Sequence, residues 1–206
     1  GSHCTGTLCS APVLEMSGAQ NQEILGKAVA GTDYDSFYGL TPHLPYLRVN
    51  KSGGRVRVRE TVGFRRGFEV ISNTEMDMAG SNVVFGGDCS AMNFKPGATQ
   101  FNNLVFAIGG DSCNANMMFR QADVTVNGNL YNYTTALSHL IGVSAGTTFS
   151  RGTNIFLNGD LYLGHRGNEN TYAPIAVQFI SSGNQKIVGQ SALAGAMFDI
   201  IIDKPA

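Results

Sequence analysis

The chain has 206 residues and a formal net charge of −1, which excludes a strong electrostatic attraction to nucleic acid or to an anionic membrane surface. No apolar run approaches the roughly 18 residues that a membrane span needs. Charged residues make up only 14%, against about 25% in an ordinary soluble domain, and there are 26 glycines. This composition, with many Val, Ile, Phe and Thr residues, favours an all-β protein of many short strands.

In chain order, residues 1–3 read as a vector remnant left by tag cleavage and are set apart from the fold. We expect residues 4–206 to form a single β-solenoid segment of a larger protein. Residues of about 27–45 are rich in Gly, Asp, Tyr and Pro, so we predict an inserted loop that leaves the stack. The part from Asp33 to Tyr38 is interpreted as a solvated loop, with a binding site as the alternative.

A short phrase occurs twice. SGAQNQEILG spans Ser17–Gly26 and SSGNQKIVG spans Ser181–Gly189, and each follows a stretch of alternating apolar residues. Each is followed further on by a tail that reads apolar, any, apolar, Asx, Lys, at Leu47–Lys51 and Ile200–Lys204. A middle copy keeps the strand-like Val83–Gly87 and Phe101–Phe106 but lacks the Asn-Gln turn.

A second unit also recurs, 31 positions apart. VTVNGNLY spans Val124–Tyr131 and is echoed by IFLNGDLY at Ile155–Tyr162. Short alternating strands separated by Gly/Asn turns at variable spacing indicate a solenoid, in which each coil buries its apolar side against the next.

We therefore predict an all-β fold, a right-handed parallel β-helix (β-solenoid) with loop insertions. Asn and Gly at the corners would permit left-handed backbone, and Gln22 and Gln185 would bond backbone groups there. Eight apolar side chains are expected to point into the core: Ile24, Val49, Val84, Leu104, Val126, Leu157, Ile187 and Ile201.

The Asn-Gln-x-Ile-x-Gly turns, the strands ending in Asn/Asp-Lys and the Asn-Gly-Asn/Asp-Leu units together resemble repeats of large secreted surface proteins of Bacteroidota. Many proteins of that kind are exported by the type IX route. The resemblance extends across most of the chain. It implies a parallel β-helix stalk or adhesive region at the cell surface, and it implies no set of catalytic residues.

Four cysteines, an even number, fit disulfides in an exported protein. Cys4 lies close to Cys9, and Cys89 and Cys113 each follow a Gly-Gly-Asp loop that could stack on its counterpart. We predict the pairs Cys4–Cys9 and Cys89–Cys113, with free thiols as the alternative. The spacing does not fit a zinc site, and we expect neither a metal nor a cofactor, with calcium at clustered carboxylates as the alternative.

Candidate catalytic acids are scattered. Asp88, Asp111, Asp123 and Asp160 each lie near a Gly or Asn turn, and paired carboxylates about 5 to 9 Å apart could cleave a glycoside. No two of them form a close pair in sequence, so we interpret them as turn residues. No Ser-His-Asp grouping, phosphate loop or dinucleotide motif is present among the histidines and glycines. We expect no catalytic residues.

A basic cluster stands out at Arg55, Arg57 and Arg59, which strand alternation places on one face with Val56 and Val58 on the other. We expect these guanidinium groups to carry charge without a paired base. They could bind an anionic glycan weakly and in a salt-sensitive way, or they could form an ordinary solvated face.

Together these features predict a non-enzymatic extracellular β-solenoid, secreted or at the cell surface, that serves as a structural stalk or adhesin segment. Its partner would be a surface glycan or another surface protein. One alternative is a carbohydrate-active β-helix, a polysaccharide lyase or glycosidase, which would gather three or more acids and bases in one groove. The other is a trimeric fibre domain, which would have an apolar outer face.

Overall fold

The computed structural model describes residues 12–32, 36–37, 43–71, 74–86, 92–108, 116–121, 123–134, 139–141, 153–164, 175–189 and 199–204. Strands dominate this part of the chain. They are β1 (Val13–Gly18), β2 (Gln22–Leu25), β3 (His43–Lys51), β4 (Arg55–Arg59), β5 (Thr61–Val70), β6 (Glu75–Asp77), β7 (Asn82–Phe85), β8 (Met92–Lys95), β9 (Gln100–Phe101), β10 (Asn103–Phe106), β11 (Asn116–Phe119), β12 (Asp123–Val126), β13 (Leu130–Asn132), β14 (His139–Ile141), β15 (Thr153–Leu157), β16 (Leu161–Leu163), β17 (Ile175–Phe179), β18 (Ile187–Gly189) and β19 (Asp199–Ile202).

The strands form three parallel sheets. An eleven-stranded sheet has the path β14-β11-β8-β5-β7-β10-β13-β16-β18, with β3 also pairing β5 and β1 pairing β3. A five-stranded sheet runs β19-β17-β15-β12-β9, and a three-stranded sheet runs β2-β4-β6. Strand pairs that are distant in sequence and parallel throughout confirm the predicted all-β parallel solenoid. The right hand of the coil stays a prediction.

Each coil places its strands in turn on three faces. Strand β5 is long enough to serve two of them, because its first half pairs with β7 and its second half with β8. Face 1 carries β1, β3, the second half of β5, β8, β11 and β14. Face 2 carries β2, β4, β6, β9, β12, β15, β17 and β19. Face 3 carries the first half of β5 with β7, β10, β13, β16 and β18.

The interior is one apolar cluster that runs along the stack. Phenylalanines dominate its middle, with ring centroids such as those of Phe85 and Phe94 only 4.8 Å apart. Five of the eight predicted core residues lie in this cluster: Ile24, Val49, Leu104, Val126 and Leu157. Burial of these alternating positions is the main source of stability in a fold whose single coils cannot fold alone.

Three of the residues predicted to point into the core do not lie in this cluster. Val84 is buried, but it lies in a second cluster on the outer side of face 3. Ile187 is 50% exposed although it is in register with buried Leu161, because no described strand pairs with the far edge of β18. Ile201 is 41% exposed and pairs with Gln178, so its side chain points outward, while Ile200 and Ile202 take the core register of Val177 and Phe179.

The second cluster corrects the prediction for the inserted loop. Phe37, within residues 27–45, is only 1% exposed and packs against Tyr131 and Tyr133. The hydroxyl of Tyr133 donates a hydrogen bond to the backbone carbonyl of Thr32. This part of the loop therefore covers face 3 instead of being solvated, and the loop ends before His43, where β3 begins. Of the Asp33–Tyr38 segment, Asp33, Tyr34, Asp35 and Tyr38 lie outside the described residues.

The predicted left-handed backbone at the corners is found at one repeated glycine and not at two others. Gly18, in the first repeated phrase, has a φ of +82°, which an L side chain rarely adopts. Gly128 and Gly159, in the Asn-Gly units, are not in the left-handed region and are required for space instead. A Cβ on Gly159 would lie 2.2 Å from the carbonyl oxygen of Gly128 in the coil below.

The two predicted glutamines bond at corners in different ways. Gln185 donates from Nε2 to the backbone carbonyls of Leu157 (2.9 Å) and Gly159 (2.7 Å) of the preceding coil, as predicted. The Oε1 of Gln22 instead accepts a hydrogen bond from the buried ammonium of Lys51 at 2.8 Å. Both amides thus link neighbouring coils.

A continuous polar column runs along the corner between faces 2 and 3. Asn82 donates to Thr61 (3.0 Å), and Asn103 donates to Asn82 (2.8 Å). Oδ1 of Asn103 accepts from the backbone N–H of Asn129 (2.7 Å), and Asn129 does the same for Asp160 (2.9 Å) and Asp160 for Lys186 (2.8 Å). We call this set the polar column: Thr61, Asn82, Asn103, Asn129, Asp160 and Lys186.

Candidate functional site

The arginine row predicted from sequence lies on β4. Val56 and Val58 are fully buried, and Arg55, Arg57 and Arg59 project to the outside of face 2. The alternation is as predicted, because the apolar core on one side of the strand fixes which residues face water.

The next coil brings two carboxylates to this row. Arg55 pairs in register with Glu75 and Arg57 with Asp77 on β6. The ion pairs measure 3.6 Å for Arg55–Glu75, 3.6 Å for Arg57–Asp77 and 2.7 Å for Arg59–Asp77. The expectation that the row carries charge without a paired base is therefore wrong.

The Arg59–Asp77 pair is the tightest contact of the site. Two hydrogen bonds join the fork of the guanidinium to both carboxylate oxygens, at 2.7 and 3.3 Å. The hydrogen bond from Arg59, followed by one from the backbone N–H of Ala79, lowers the pKa of Asp77 to about 2. The same pair raises the pKa of Arg59. Both groups are charged at neutral pH, so Asp77 cannot donate a proton as a general acid.

A groove adjoins this charged row. It has a volume of about 480 Å³ and lies where the three-stranded sheet ends at β6 and the five-stranded sheet begins at β9. The carboxylates of Glu75 and Asp77, with Arg55, line one side, and the amides of Gln100, Asn102 and Asn127 line the other. Met76, Met78 and Ala79 complete the lining.

Opposite charges also alternate on face 1. Arg48 pairs with Glu69 (3.4 Å), and Lys95 of the following coil approaches the same carboxylate at 3.9 Å. Tyr46 donates its hydroxyl to Glu69 at 3.3 Å, and the pKa of Tyr46 is raised by burial and then by that carboxylate. Cross-strand ion pairs are thus a recurring feature of the outer surface.

The acids proposed from sequence do not assemble into a site. Asp160 belongs to the polar column, and Asp123 accepts a hydrogen bond from Asn154 at 3.3 Å. Asp88 and Asp111 lie outside the described residues, as do Cys4, Cys9, Cys89 and Cys113, so the proposed disulfides stay predictions.

Sequence reasoning missed Glu75 and Asp77. A signal was present, because Glu75-Met76-Asp77 alternates with the same parity as Arg55-Val56-Arg57 and follows it by one coil. Recognising that these two segments pair requires the length of the coil between them, and the degenerate repeats do not reveal that length.

Comparison with known protein families, with curated proteins and with solved structures found no match for the chain. Within the described ranges, no helix is long and apolar enough to cross a membrane. The same ranges contain no group of three or more His, Cys, Asp or Glu residues that could hold a metal ion.

Proposed function

We propose that the chain is a non-enzymatic extracellular β-solenoid that acts as a structural stalk or adhesin segment of a cell-surface protein. The polar column is the observation that carries this proposal. Its hydrogen bonds run along the axis of the stack and connect the side chain of one coil with the next through six positions. Such a column resists sliding or separation of coils, which is what a stalk under axial load requires.

Single-molecule pulling tests the stalk. Loading the chain between its ends should give distinct unfolding force peaks, and Asn103→Ala should lower the peak force because it removes two links of the column. Asn154→Ala, which removes one exposed side-chain hydrogen bond, is the matched control and should leave the force unchanged. A wild-type chain that extends without a resolvable peak contradicts the proposal.

The adhesive part of the proposal concerns face 2. The sequence leaves open whether the arginine row binds anionic glycans or forms an ordinary solvated face, and an anion there must compete with Glu75 and Asp77 for the guanidinium groups. Anionic binding at Arg55, Arg57 and Arg59 should therefore be weak and should fade with salt, since exposed charges are screened over about 10 Å at 0.1 M ionic strength.

A carbohydrate-active enzyme is the second candidate, and one observation favours it: Arg55, Glu75 and Asp77 meet in one groove. Asp77 is held ionised by Arg59, however, and Glu75 is largely exposed beside Arg55, so neither carboxyl group lies in the buried setting of a catalytic acid. A polysaccharide panel with product detection decides between the two. Turnover that is lost in Glu75→Gln or Asp77→Asn would establish the enzyme.

The trimeric fibre is less well supported. A trimeric fibre would have an apolar outer face, but the outer apolar residues Val84, Val105 and Tyr131 form one buried cluster with Phe37 of the same chain. Secretion, the Bacteroidota-like export route and the disulfides remain parts of the proposal that rest on the sequence.

A further inference from the structure

The groove between β6 and β9 marks an interruption of hydrogen bonding on face 2. The two coils concerned are direct neighbours on the other faces, where β7 pairs with β10 and β5 pairs with β8. On face 2, β6 pairs only with β4, and β9 only with β12, among the strands described. The edges of β6 and β9 that face each other are therefore not hydrogen-bonded to one another, and the groove lies between them.

The amides on one wall have a fixed direction. Asn158 donates to Oδ1 of Asn127 (3.2 Å), and Asn127 donates to Oε1 of Gln100 (3.1 Å). This chain of amides ends at Gln100, whose Oε1 accepts the last hydrogen bond. The Nε2 of Gln100 can therefore donate into the groove. The Nδ2 of Asn102 donates to the carbonyl of Ser81 (3.2 Å), which leaves its Oδ1 as an acceptor.

The opposite wall supplies two carboxylates as hydrogen-bond acceptors, and arginines already neutralise their charge. Glu75 is paired with Arg55, and Asp77 with Arg57 and Arg59. An anionic ligand would be repelled by the carboxylates, and a cationic one would have to compete with three guanidinium groups. A neutral ligand with hydroxyl groups can donate to the carboxylates and accept from Gln100 without breaking any ion pair.

We infer that this groove binds a short segment of a neutral glycan. The inference deepens the adhesin proposal and rests on it. The volume, about 480 Å³, lies in the range of small-molecule sites, about 300–1,000 Å³. The partly buried side chain of Met76 offers an apolar surface for the C–H groups of a sugar ring. Among the described residues, no aromatic ring lines the groove, so affinity comes mainly from hydrogen bonds and is modest.

Isothermal titration calorimetry with maltohexaose, cellohexaose, xylohexaose and mannohexaose, alongside heparin and polygalacturonate, tests the inference. At least one neutral hexasaccharide should bind, with an affinity that changes less than about twofold between about 0.1 M and 1 M salt. Gln100→Ala and Glu75→Ala should each weaken binding by about five- to tenfold, the effect of losing one or two hydrogen bonds. Gln178→Ala, an exposed amide elsewhere on face 2, is the control and should have no effect.

Each failure has a distinct meaning. A neutral glycan that binds with the same affinity to wild type, Gln100→Ala and Glu75→Ala overturns the inference. Binding of heparin alone, lost in high salt and in Arg57→Ala, also overturns it but keeps the adhesin. If no glycan binds, the inference and the glycan-binding adhesin both fall, while the stalk still depends on the pulling experiment.

Discussion

Lys51 at the end of β3 donates a hydrogen bond from Nζ to the backbone carbonyl of Gln20, in the turn of the coil below, at 2.6 Å. Lys204, which follows β19, makes the equivalent bond to the carbonyl of Gly183 at 2.6 Å. Gln20 and Gly183 both precede the Asn-Gln of the repeated phrase. The phrase and its distant tail are thus two parts of one contact, in which the lysine of one coil holds the turn of the coil before it.

The two lysines allow a matched comparison. Lys51 is buried and also bonds Gln22, so Lys51→Met should lower the free energy of unfolding by about 1–3 kcal/mol, because two acceptors lose a charged donor. Lys204→Met removes the same carbonyl contact at an exposed site and should cost about 0.5 kcal/mol or less. Urea denaturation of both variants measures this. Equal losses would show that the contact itself, and not its burial, determines the cost.

Gly159 should not tolerate a side chain. Gly159→Ala would place a Cβ 2.2 Å from the carbonyl oxygen of Gly128 and force the two coils apart, at a cost of about 1–3 kcal/mol. Gly183→Ala is the control, since its nearest neighbour would be the Ser181 hydroxyl at 3.5 Å. Thermal unfolding should show a lower melting temperature for the first variant only. A lowered value for Gly183→Ala alone would contradict the packing described.

The Asp77 ion pairs should make stability depend on acid pH. The pKa of Asp77 is about 2 in the folded chain and about 3.9 in an unfolded one, so its contribution is present above about pH 4 and is lost as the pH falls toward 2. Asp77→Asn lacks this contribution. The stability gap between wild type and Asp77→Asn, measured by urea denaturation, should be largest at about pH 5 and shrink toward pH 2. A gap that does not change with pH would mean that the pair adds nothing to stability.

Phe37 should contribute to stability although it lies in a loop. Its ring packs on Tyr131 and Tyr133 over the outer side of face 3, so Phe37→Ala should destabilise the chain by about 3 kcal/mol. Phe37→Leu, which keeps most of the apolar volume, should cost clearly less. If Phe37→Ala unfolds at the same urea concentration as wild type, the loop does not cover face 3 in solution.

The solenoid could be predicted because repeated phrases and alternating residues report on neighbouring coils. The same local reasoning failed where a partner came from another coil or another part of the chain. Val84 alternates like a core residue but lies in the outer cluster that contains Phe37. Ile201 reads as the centre of an apolar run, although its neighbours hold the core register. Glu75 and Asp77 were missed for the same reason, since their partners lie one coil away and the coil length varies from 21 to 31 residues along the polar column.

Native-state hydrogen exchange at the backbone amides of Asn129 and Asp160 tests the central claim, that side chains tie the coils into one continuous stack. Both amides lie in turns, yet each donates to the column, to Asn103 and to Asn129 respectively. Both amides should exchange only on global unfolding, among the slowest amides of the chain, and Asn103→Ala should accelerate the exchange of Asn129. Fast exchange of both amides in the wild-type chain, at the rate of open turn amides, would contradict it.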